Sequence, residues 1–337
     1  MSEPTSIRER LEGFVRAQVG SGAPAVSGLA RLGVGRSREN WVFDAEWPDG
    51  HIDHLILRQD PAGGLVESDR GLEFAALKSL EGSGLLAPRV LWLDAQGDWL
   101  GTPSLVMFRE PGTCEYDLLA SSRPLQTRHR LARDLCELMA RVHDVDWQAL
   151  GLEAVLSHPG PSPALTELEH WEQVLRRDQL EAYPELELAI SQLRATAPAC
   201  EQVALVHADF KAGNVLLDEQ DTIVALLDWE LVHLGDPLED LGWVTQPLRT
   251  REHLIPGTWE RRDLVEHYER LRGPVDPMAV LWWNCFATFK TAVMQVSGLR
   301  SFVEGRSDDP YRPSQKVLRT LLTTIVKTGQ SLATHGG

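Results

Sequence analysis

The sequence predicts an α+β protein with two lobes, a small antiparallel β-sheet lobe with one main helix and a larger, mainly helical lobe. Three observations lead to this prediction. Short apolar runs separated by turn residues fill the first 108 residues, and apolar residues at helical spacing dominate the rest. A polar loop between two apolar strands interrupts the helical part at residues 207–214. We therefore expect an N-terminal lobe over residues 1–108 and a C-terminal lobe over residues 109–337.

The polar loop carries the residues that indicate a chemistry. His207 and Asp209 are followed, after four more residues, by Asn214, which is the H-x-D-x-x-x-x-N spacing of a kinase catalytic loop. Asp228 ends the next short strand, where kinases have a metal-binding Asp. In phosphoryl transfer Asp209 would act as the base for the acceptor hydroxyl, while Asn214 and Asp228 would supply oxygen ligands to Mg²⁺. Ordinary turn formers are the alternative, but they do not explain the His, the spacing and the second Asp together.

Composition and charge restrict the classes of function open to the chain. Its 337 residues are 43% hydrophobic and 24% charged, which is typical of a soluble globular protein. A net charge of −16 argues against nucleic acid, because binding it relies on clustered Lys and Arg. No apolar run reaches the ~18 residues of a membrane span, no secretory signal is visible, and four well-separated cysteines suggest reduced thiols. We expect a cytoplasmic protein with no membrane or nucleic-acid partner.

The N-terminal lobe begins with an amphipathic helix over Ser6 to Gln18 and continues with a hairpin. Its strands are predicted over Leu29 to Leu32 and Trp41 to Trp47. Backbone amides of the glycine-containing loop between them can surround a phosphate. The candidates for nucleotide binding there are Gly33, Gly35 and Ser37. A plain hairpin turn uses the same residue types and is the alternative.

Arg58 ends the predicted third strand, Ile52 to Gln59, and is the candidate cation for the α- and β-phosphates of a nucleotide. A Lys usually takes this place, but the first lysine of the chain is Lys78, on a predicted helix. That helix, Ser68 to Glu81, carries Glu73 well inside it, as an ion pair with Arg58 would require. The alternative is a surface Arg at a strand end.

Two more strands, Pro88 to Asp94 and Ser104 to Phe108, complete a predicted sheet of five antiparallel strands. The chain leaves the last strand through residues 107–112, which we interpret as the hinge between the lobes. Backbone groups there would bind the edge of an adenine, and the candidates are Met107, Phe108 and Arg109. A simple linker is the alternative, and both interpretations can hold.

The C-terminal part is predicted to be helical and apolar over residues 259–333, and its aromatic run at 281–286 is expected in the core. A polycationic acceptor needs an acidic site, whereas these helices are apolar and basic. This composition weakly favours an acyl or anionic acceptor. The residues behind that expectation are Trp282, Trp283, Phe286, Phe289, Lys290, Arg300 and Arg306.

Three stretches together resemble the aminoglycoside phosphotransferase and choline kinase-like superfamily: HADFKAGN at 207–214, LDWE at 227–230 and GDPLEDLG at 235–242. Within it, the chain looks most like the kinases related to the N-terminal domains of certain acyl-CoA dehydrogenases, which act on hydroxyacyl-CoA. The resemblance covers roughly residues 25–300. It implies a bilobal protein kinase-like fold and a reaction that uses ATP and Mg²⁺. It also implies Asp209 as the base, Asn214 and Asp228 as metal ligands, Arg58 paired with Glu73, and His207 as support for the loop.

The sequence thus predicts an ATP- and Mg²⁺-dependent small-molecule kinase that phosphorylates a hydroxyl group. Three acceptor classes stay open: a hydroxyacyl-CoA or related metabolite, which we favour, an aminoglycoside, and an amino alcohol such as choline. The alternative of another class is a catalytically silent pseudokinase that binds nucleotide. Asp209, Asn214 and Asp228 argue together against it. The oligomeric state also stays open, with a homodimer among the options.

Overall fold

The computed structural model describes residues 6–32, 39–59 and 69–335 and confirms the predicted α+β class. The N-terminal part is a five-stranded antiparallel sheet with two helices. Its elements are α1 (Ile7–Val19), β1 (Ala25–Arg31), β2 (Glu39–Glu46), β3 (Ile52–Gln59), α2 (Arg70–Leu80), β4 (Val90–Asp94) and β5 (Ser104–Phe108). The strand order is β1-β2-β3-β5-β4, so β3, which carries Arg58, is the central strand.

Side-chain caps fix where the two N-terminal helices begin. The Ser6 hydroxyl accepts a hydrogen bond from the amide of Glu9, whose carboxylate in turn accepts from the amide of Ser6. At α2, the Asp69 carboxylate accepts from the amides of Gly71 and Leu72, at 2.8 and 3.1 Å. Because Asp69 fixes the start of α2, Glu73 lies in its first turn, and the expectation that it lies well inside the helix is wrong.

The C-terminal part is mainly helical, as predicted. Its helices are α3 (Leu125–His143), α4 (Pro163–Asp178), α5 (Pro184–Ala195), α6 (Leu238–Thr245), α7 (Thr250–His253), α8 (Arg261–Arg272), α9 (Pro277–Val303) and α10 (Gln315–His335). Three short 3₁₀ helices lie at Leu152–Ala154, Ala212–Asn214 and Pro247–Arg249. Among the described residues, no helix is both long enough and apolar enough to cross a membrane.

Five short strands position the predicted catalytic loop. They are β6 (Thr113–Cys114), β7 (Ala204–Val206), β8 (Val215–Leu217), β9 (Ile223–Leu226) and β10 (His233–Gly235). The strand β7 pairs with β10, while β8 pairs with both β6 and β9. The loop from β7 to β8 carries Asp209 and Asn214, and Asp228 follows β9. Pairing of β8 with β9 therefore brings the loop and Asp228 to the same end of this small sheet.

Three hydrophobic cores hold these elements together. One lies between α1 and a face of the sheet, and another is built around α9 with α4, α5 and α10. The largest crosses from α2 and the sheet to α3 and to the strands β7–β9. Because that core is continuous across residue 108, the lobes share a packed interface, and the boundary between 108 and 109 stays a prediction.

Candidate functional site

The loop between β7 and β8 brings Asp209 and Asn214 into direct contact. The side-chain amide of Asn214 donates to the backbone carbonyl and to Oδ2 of Asp209, both at 3.0 Å. The backbone carbonyl of Asn214 accepts from the amide of Leu227 at 2.7 Å, which ties the loop to the residue before Asp228. In the part of the chain that the structure describes, Oδ1 of Asp209 accepts no hydrogen bond. That oxygen is the atom left to receive a proton.

Lys211 also belongs to this site, although the spacing argument assigned it no function. Its ammonium group donates to Oδ2 of Asp209. The backbone at Lys211 is extended, with φ −139° and ψ 155°, and side chains two residues apart along extended backbone point to the same side. Burial alone would lower the pKa of Lys211, but the charges of Asp209 and Asp228 raise it. Lys211 therefore stays a cation near both carboxylates and cannot serve as the base.

Asp240 on α6 holds the backbone of the loop in place. Its carboxylate accepts from the amides of His207 at 2.9 Å and Ala208 at 2.8 Å, and it contacts Nε2 of His143 at 3.1 Å. Burial alone would raise the pKa of Asp240, but the hydrogen bond and the charge of His143 lower it. The ionised carboxylate fixes two consecutive amides just before Asp209. Asp240 is thus a positioning residue for Asp209.

Ala208 takes a backbone conformation that L-residues rarely adopt. Its φ is +65°, and its carbonyl accepts from the buried ammonium of Lys290 at 2.9 Å. Non-glycine residues in the left-handed region cost roughly 1–2 kcal/mol. Contacts on both sides of this peptide, from Asp240 and Lys290, keep the strained turn in place.

His207 supports the loop from inside, as the sequence resemblance implies. The side chain is completely buried, and its Nε2 donates to the carbonyl of Leu227 at 3.0 Å. Burial lowers the pKa of His207, so the imidazole is neutral near pH 7. Its Nδ1 then accepts from the amide of Asp209 at 3.3 Å. This neutral tautomer links the residue before Asp228 to the backbone of Asp209.

Arg58 links the two lobes at the site. Its guanidinium donates to Glu73 on α2 at 3.0 Å and to Asp228 at 2.9 Å, across sequence separations of 15 and 170 residues. Glu73 is fully buried and also accepts from the fully buried Arg70, one turn earlier on α2. The structure therefore contains the expected Arg58–Glu73 pair. The further contacts with Arg70 and Asp228 were not anticipated, although the i,i+3 spacing of Arg70 and Glu73 is favourable for pairing on a helix.

Asp228 lies in the left-handed region, with φ +69°, and its side chain is 22% exposed. Asp tolerates this conformation better than most residues, because its short polar side chain can bond locally. The donor set offered by Asn214 and Asp228 is an amide oxygen and a carboxylate, which suits the hard cation Mg²⁺. In the described part of the chain, Oδ1 of Asn214 has no hydrogen-bond partner. These residues fit a magnesium ion, and their function as its ligands stays a prediction.

The hinge differs in one detail from the expectation. The amide of Phe108 donates to the carbonyl of Arg89 at 2.9 Å, and the amide of Arg109 donates to the carbonyl of His54 at 2.8 Å. Both amides are used within the sheet, so neither points at an adenine. Met107 is paired with both β3 and β4. An adenine contact here requires carbonyl groups of this segment or the amide of a later residue.

The other predicted phosphate-binding segment cannot be compared with the structure. Gly33, Gly35 and Ser37 lie outside the described residues.

The expectation about the acceptor side is wrong in its choice of residues. The aromatic side chains of Trp282, Trp283, Phe286 and Phe289 are at most 1% exposed and form the core around α9. Lys290 is also 1% exposed and is bound to Glu239 and Ala208, while Arg300 and Arg306 both pair with Glu304. A helix that is apolar on nearly all sides packs as a buried core element. The buried residues therefore cannot line an open acceptor site, and the two partly exposed arginines are held by Glu304.

A cluster behind the loop has the residue types of a metal site. Nε2 of His233 lies 3.1 Å from Glu239 and 3.6 Å from Glu167. Burial alone would lower the pKa of His233, but the two carboxylates raise it to about 10. His233 is thus a cation between two carboxylates, and Lys290 further neutralises Glu239 at 3.0 Å. We interpret the cluster as a neutralised ion network that supports Ala208.

A model of the phosphotransferase enzyme family matches residues 29–274, which is most of the chain. Among curated proteins, the chain is similar to acyl-CoA dehydrogenase family member 10 of Mus musculus, with 30% identity over 192 residues. That match covers 56% of this chain and 18% of the relative. It is also similar to family member 11 of Rattus norvegicus, with 24% identity over 298 residues, 83% of this chain and 38% of the relative. The chain thus spans well under half the length of these relatives.

Solved structures agree with the fold. A Ralstonia eutropha JMP134 protein provisionally named an aminoglycoside phosphotransferase aligns with a TM-score of 0.70 and 19% identity, over 97% of this chain and 98% of its own. The ternary complex of streptomycin, ATP and APH(2″)-IIa aligns with a TM-score of 0.56 and 17% identity, over 88% and 91%. An ethanolamine kinase of Plasmodium vivax aligns with a TM-score of 0.53 and 12% identity, over 89% and 81%. At these identities the likeness establishes the bilobal kinase-like fold alone.

Proposed function

The chain belongs to the phosphotransferase enzyme family, and from this premise we propose that it transfers the γ-phosphoryl group of ATP to a hydroxyl group of a small molecule. The observation that carries the proposal is the contact of Arg58 with both Glu73 and Asp228. This contact joins the central strand, α2 and the end of β9 at one point, beside the loop that carries Asp209. Phosphoryl transfer depends mainly on such positioning and on charge neutralisation.

Each group has a defined function in this reaction. The guanidinium of Arg58 and the ammonium of Lys211 contact phosphate oxygens and offset their negative charge. Asn214 and Asp228 would hold Mg²⁺, which would offset the negative charge of the triphosphate. Oδ1 of Asp209 accepts the proton of the acceptor hydroxyl as its oxygen forms a bond to the γ-phosphorus. The bond from that phosphorus to the β,γ-bridging oxygen breaks, and ADP leaves with the bond electrons.

A hydroxyacyl-CoA is the acceptor class that we propose. The acyl-CoA dehydrogenase family members 10 and 11 support this choice, because their names connect them to acyl-CoA. The alternatives are an aminoglycoside and an amino alcohol, supported by the streptomycin complex and by the ethanolamine kinase. Both of those proteins are less than 20% identical to this chain, which makes them weaker guides to its acceptor.

The test is ADP formation with 4-hydroxyacyl-CoA, kanamycin and choline as parallel acceptors, each with Mg²⁺ and ATP. We expect turnover with the hydroxyacyl-CoA and a phosphorylated product detected by mass spectrometry. Turnover with kanamycin or choline alone would show that the proposed acceptor class is wrong, but it would still support a phosphotransferase. Absence of product from a broader panel of hydroxylated metabolites, with ATP still bound, would favour the pseudokinase.

Asp209→Asn separates chemistry from nucleotide binding. The amide keeps the shape of the side chain but cannot accept the proton, so we expect kcat to fall by roughly 10²–10⁴-fold. The Kd for Mg-ATP, measured by calorimetry, should change little. A matched control is Asp218→Asn, because in the described part of the chain that carboxylate accepts hydrogen bonds from the amides of its own turn alone, those of residues 220 and 222. Unchanged turnover of Asp209→Asn would remove this residue from the mechanism.

A further inference from the structure

A cavity of about 410 Å³ lies between the 3₁₀ helix Pro247–Arg249 and the last helix, α10. Its charged lining consists of three basic side chains, Lys316, Arg319 and Lys327, and hydroxyl groups of Thr320 and Thr323 lie among them. Among the described residues, the lining contains no acidic side chain, although the whole chain carries a net charge of −16. The volume is within the ~300–1,000 Å³ typical of small-molecule sites. The cavity is therefore a local basic surface on an acidic protein.

The basic groups form a stripe along one side of α10. Residues 316, 319, 320, 323 and 327 follow the three- and four-residue spacing of one helix face. The neighbouring face, with Val317 and Leu321, is buried in the core around α9. In the described part of the chain, none of the three cations takes part in an ion pair, unlike Arg300 and Arg306 earlier in the sequence. Their charges are available to an anion.

The cavity is connected to the catalytic loop through the same 3₁₀ helix. Pro247 lines the cavity, whereas Arg249, two residues later, lies near enough to Lys211 for its charge to lower the pKa of that lysine. A 3₁₀ helix rises about 2.0 Å per residue, so only ~4 Å of helix axis separates the two positions. One end of a short element thus lines the basic cavity, while the charge of Arg249 at its other end acts on Lys211, which binds Asp209.

We propose that this cavity binds the phosphate-bearing tail of the acceptor, the phosphorylated nucleotide portion of an acyl-CoA. This inference rests on the proposed function and assigns the part of the acceptor farthest from the reacting hydroxyl. The phosphates of ATP already have Arg58 and Lys211 near Asp228, which leaves a second basic site for a second phosphorylated molecule. Arg and Lys bind phosphate oxygens through charge-assisted hydrogen bonds, and nearby threonine hydroxyls can add neutral ones.

The direct test is calorimetric binding of coenzyme A itself, with no turnover required. The variant combines Lys316→Gln, Arg319→Gln and Lys327→Gln. We expect its Kd for coenzyme A to rise at least tenfold. The matched control neutralises three exposed cations on other helices, Arg8→Gln, Lys78→Gln and Arg262→Gln, and should bind as the wild type does. Equal coenzyme A affinity in the wild type and the cavity variant would overturn the proposal.

Other ligands distinguish the sources of the phosphate groups. Compared with coenzyme A, dephospho-CoA should bind the wild type more weakly, and pantetheine more weakly still. The loss of affinity caused by the cavity substitutions should shrink in the same order. The Kd for Mg-ATP should be the same in both proteins. If ATP affinity falls as far as coenzyme A affinity does, the cavity is a nucleotide or general anion site and the acceptor assignment is wrong.

Kinetics separate this inference from the proposed function. With 4-hydroxyacyl-CoA, the cavity variant should have a raised KM and an unchanged kcat, while hydroxyacyl-pantetheine should react equally with both proteins. If no acceptor is phosphorylated but coenzyme A affinity still depends on the three cations, the binding site stands and the proposed function fails. If a small alcohol is phosphorylated and coenzyme A does not bind, the function stands and the cavity assignment fails.

Discussion

Replacing Arg58 is the most informative perturbation of the site, because its side chain contacts Glu73 in the N-terminal lobe and Asp228 in the C-terminal lobe. Arg58→Met keeps an apolar stem of similar length and removes both charge-assisted hydrogen bonds, to Glu73 at 3.0 Å and to Asp228 at 2.9 Å. Glu73 retains Arg70, whereas the Asp228 side chain, 22% exposed, can be partly hydrated. The loss is therefore smaller than that of an isolated buried charge.

The magnitude follows from the number of contacts and their burial. A hydrogen bond to a charged group contributes about 1.5–3 kcal/mol, so two give an upper limit of roughly 3–6 kcal/mol. Retention of Arg70 and hydration of Asp228 reduce this to about 2–4 kcal/mol in the free energy of unfolding. Loss of one cationic contact to a phosphate would raise the Kd for Mg-ATP by roughly 10- to 150-fold, at a factor of ten per ~1.4 kcal/mol.

The assay compares urea unfolding and calorimetric binding of Mg-ATP for Arg58→Met, Arg58→Lys and the wild type. Arg58→Lys keeps the charge but not the fork that reaches both carboxylates, so intermediate values are expected. The control is Arg130→Met, which removes a partly exposed pair with Asp134 and hydrogen bonds to the carbonyls of Gln220 and Asp221, and which should leave the Kd for Mg-ATP unchanged. Wild-type affinity for ATP in Arg58→Met would refute the phosphate-binding role even if stability falls.

Two further predictions concern the stability of the C-terminal part. Ala208→Gly removes a Cβ at φ +65°, so we expect the free energy of unfolding to stay constant or rise by up to ~1 kcal/mol. The control Ala132→Gly, within α3, should instead lower the free energy of unfolding by ~1 kcal/mol or more. An equal decrease for both variants in urea unfolding would contradict the argument that Ala208 is strained. Burial and the charge of Arg249 lower the pKa of His253 to about 3, below its ordinary value of about 6.5. The unfolded chain then binds the extra proton, so this group removes about 1.4 kcal/mol of stability per unit as pH falls from 6.5 towards 3. His253→Gln should reduce the difference in unfolding free energy between pH 6.5 and 5, measured by urea unfolding, by about 2 kcal/mol. Parallel pH profiles of that free energy in the two proteins would contradict the shifted pKa.

The strands and helices were predictable because local patterns and packing agree in this chain. Turn residues bound each N-terminal strand, and Asp69 caps α2 with a side chain that favours the first position before a helix. The predicted third strand, Ile52 to Gln59, coincides with β3. What the patterns could not give was the continuous core across residue 108, because contacts between residues on the two sides of this position depend on how the lobes pack and leave no periodic signal.

The catalytic loop was partly predictable for a different reason. The chemistry requires His207, Asp209 and Asn214 at a fixed spacing along one loop, so a single sequence is enough to recognise them. Asp240 lies on another element, and its contact with two backbone amides requires only a carboxylate at the right place in space. Lys211 could have been identified, since extended backbone places it on the same side as Asp209.

The prediction of acceptor-binding residues was wrong because it used the composition of the helices and not the exposure of their side chains. The helix α9 carries aromatic residues and Lys290, but it is surrounded by α4, α5, α6 and α10, so even its lysine is buried against Glu239. The cations that line the cavity instead lie on α10, whose outer side faces solvent, at Lys316, Arg319 and Lys327. A helix contributes to a ligand site through the residues left over after its core face is packed. We therefore move the proposed anionic preference from α9 to α10, and its test is the coenzyme A affinity of the cavity variant.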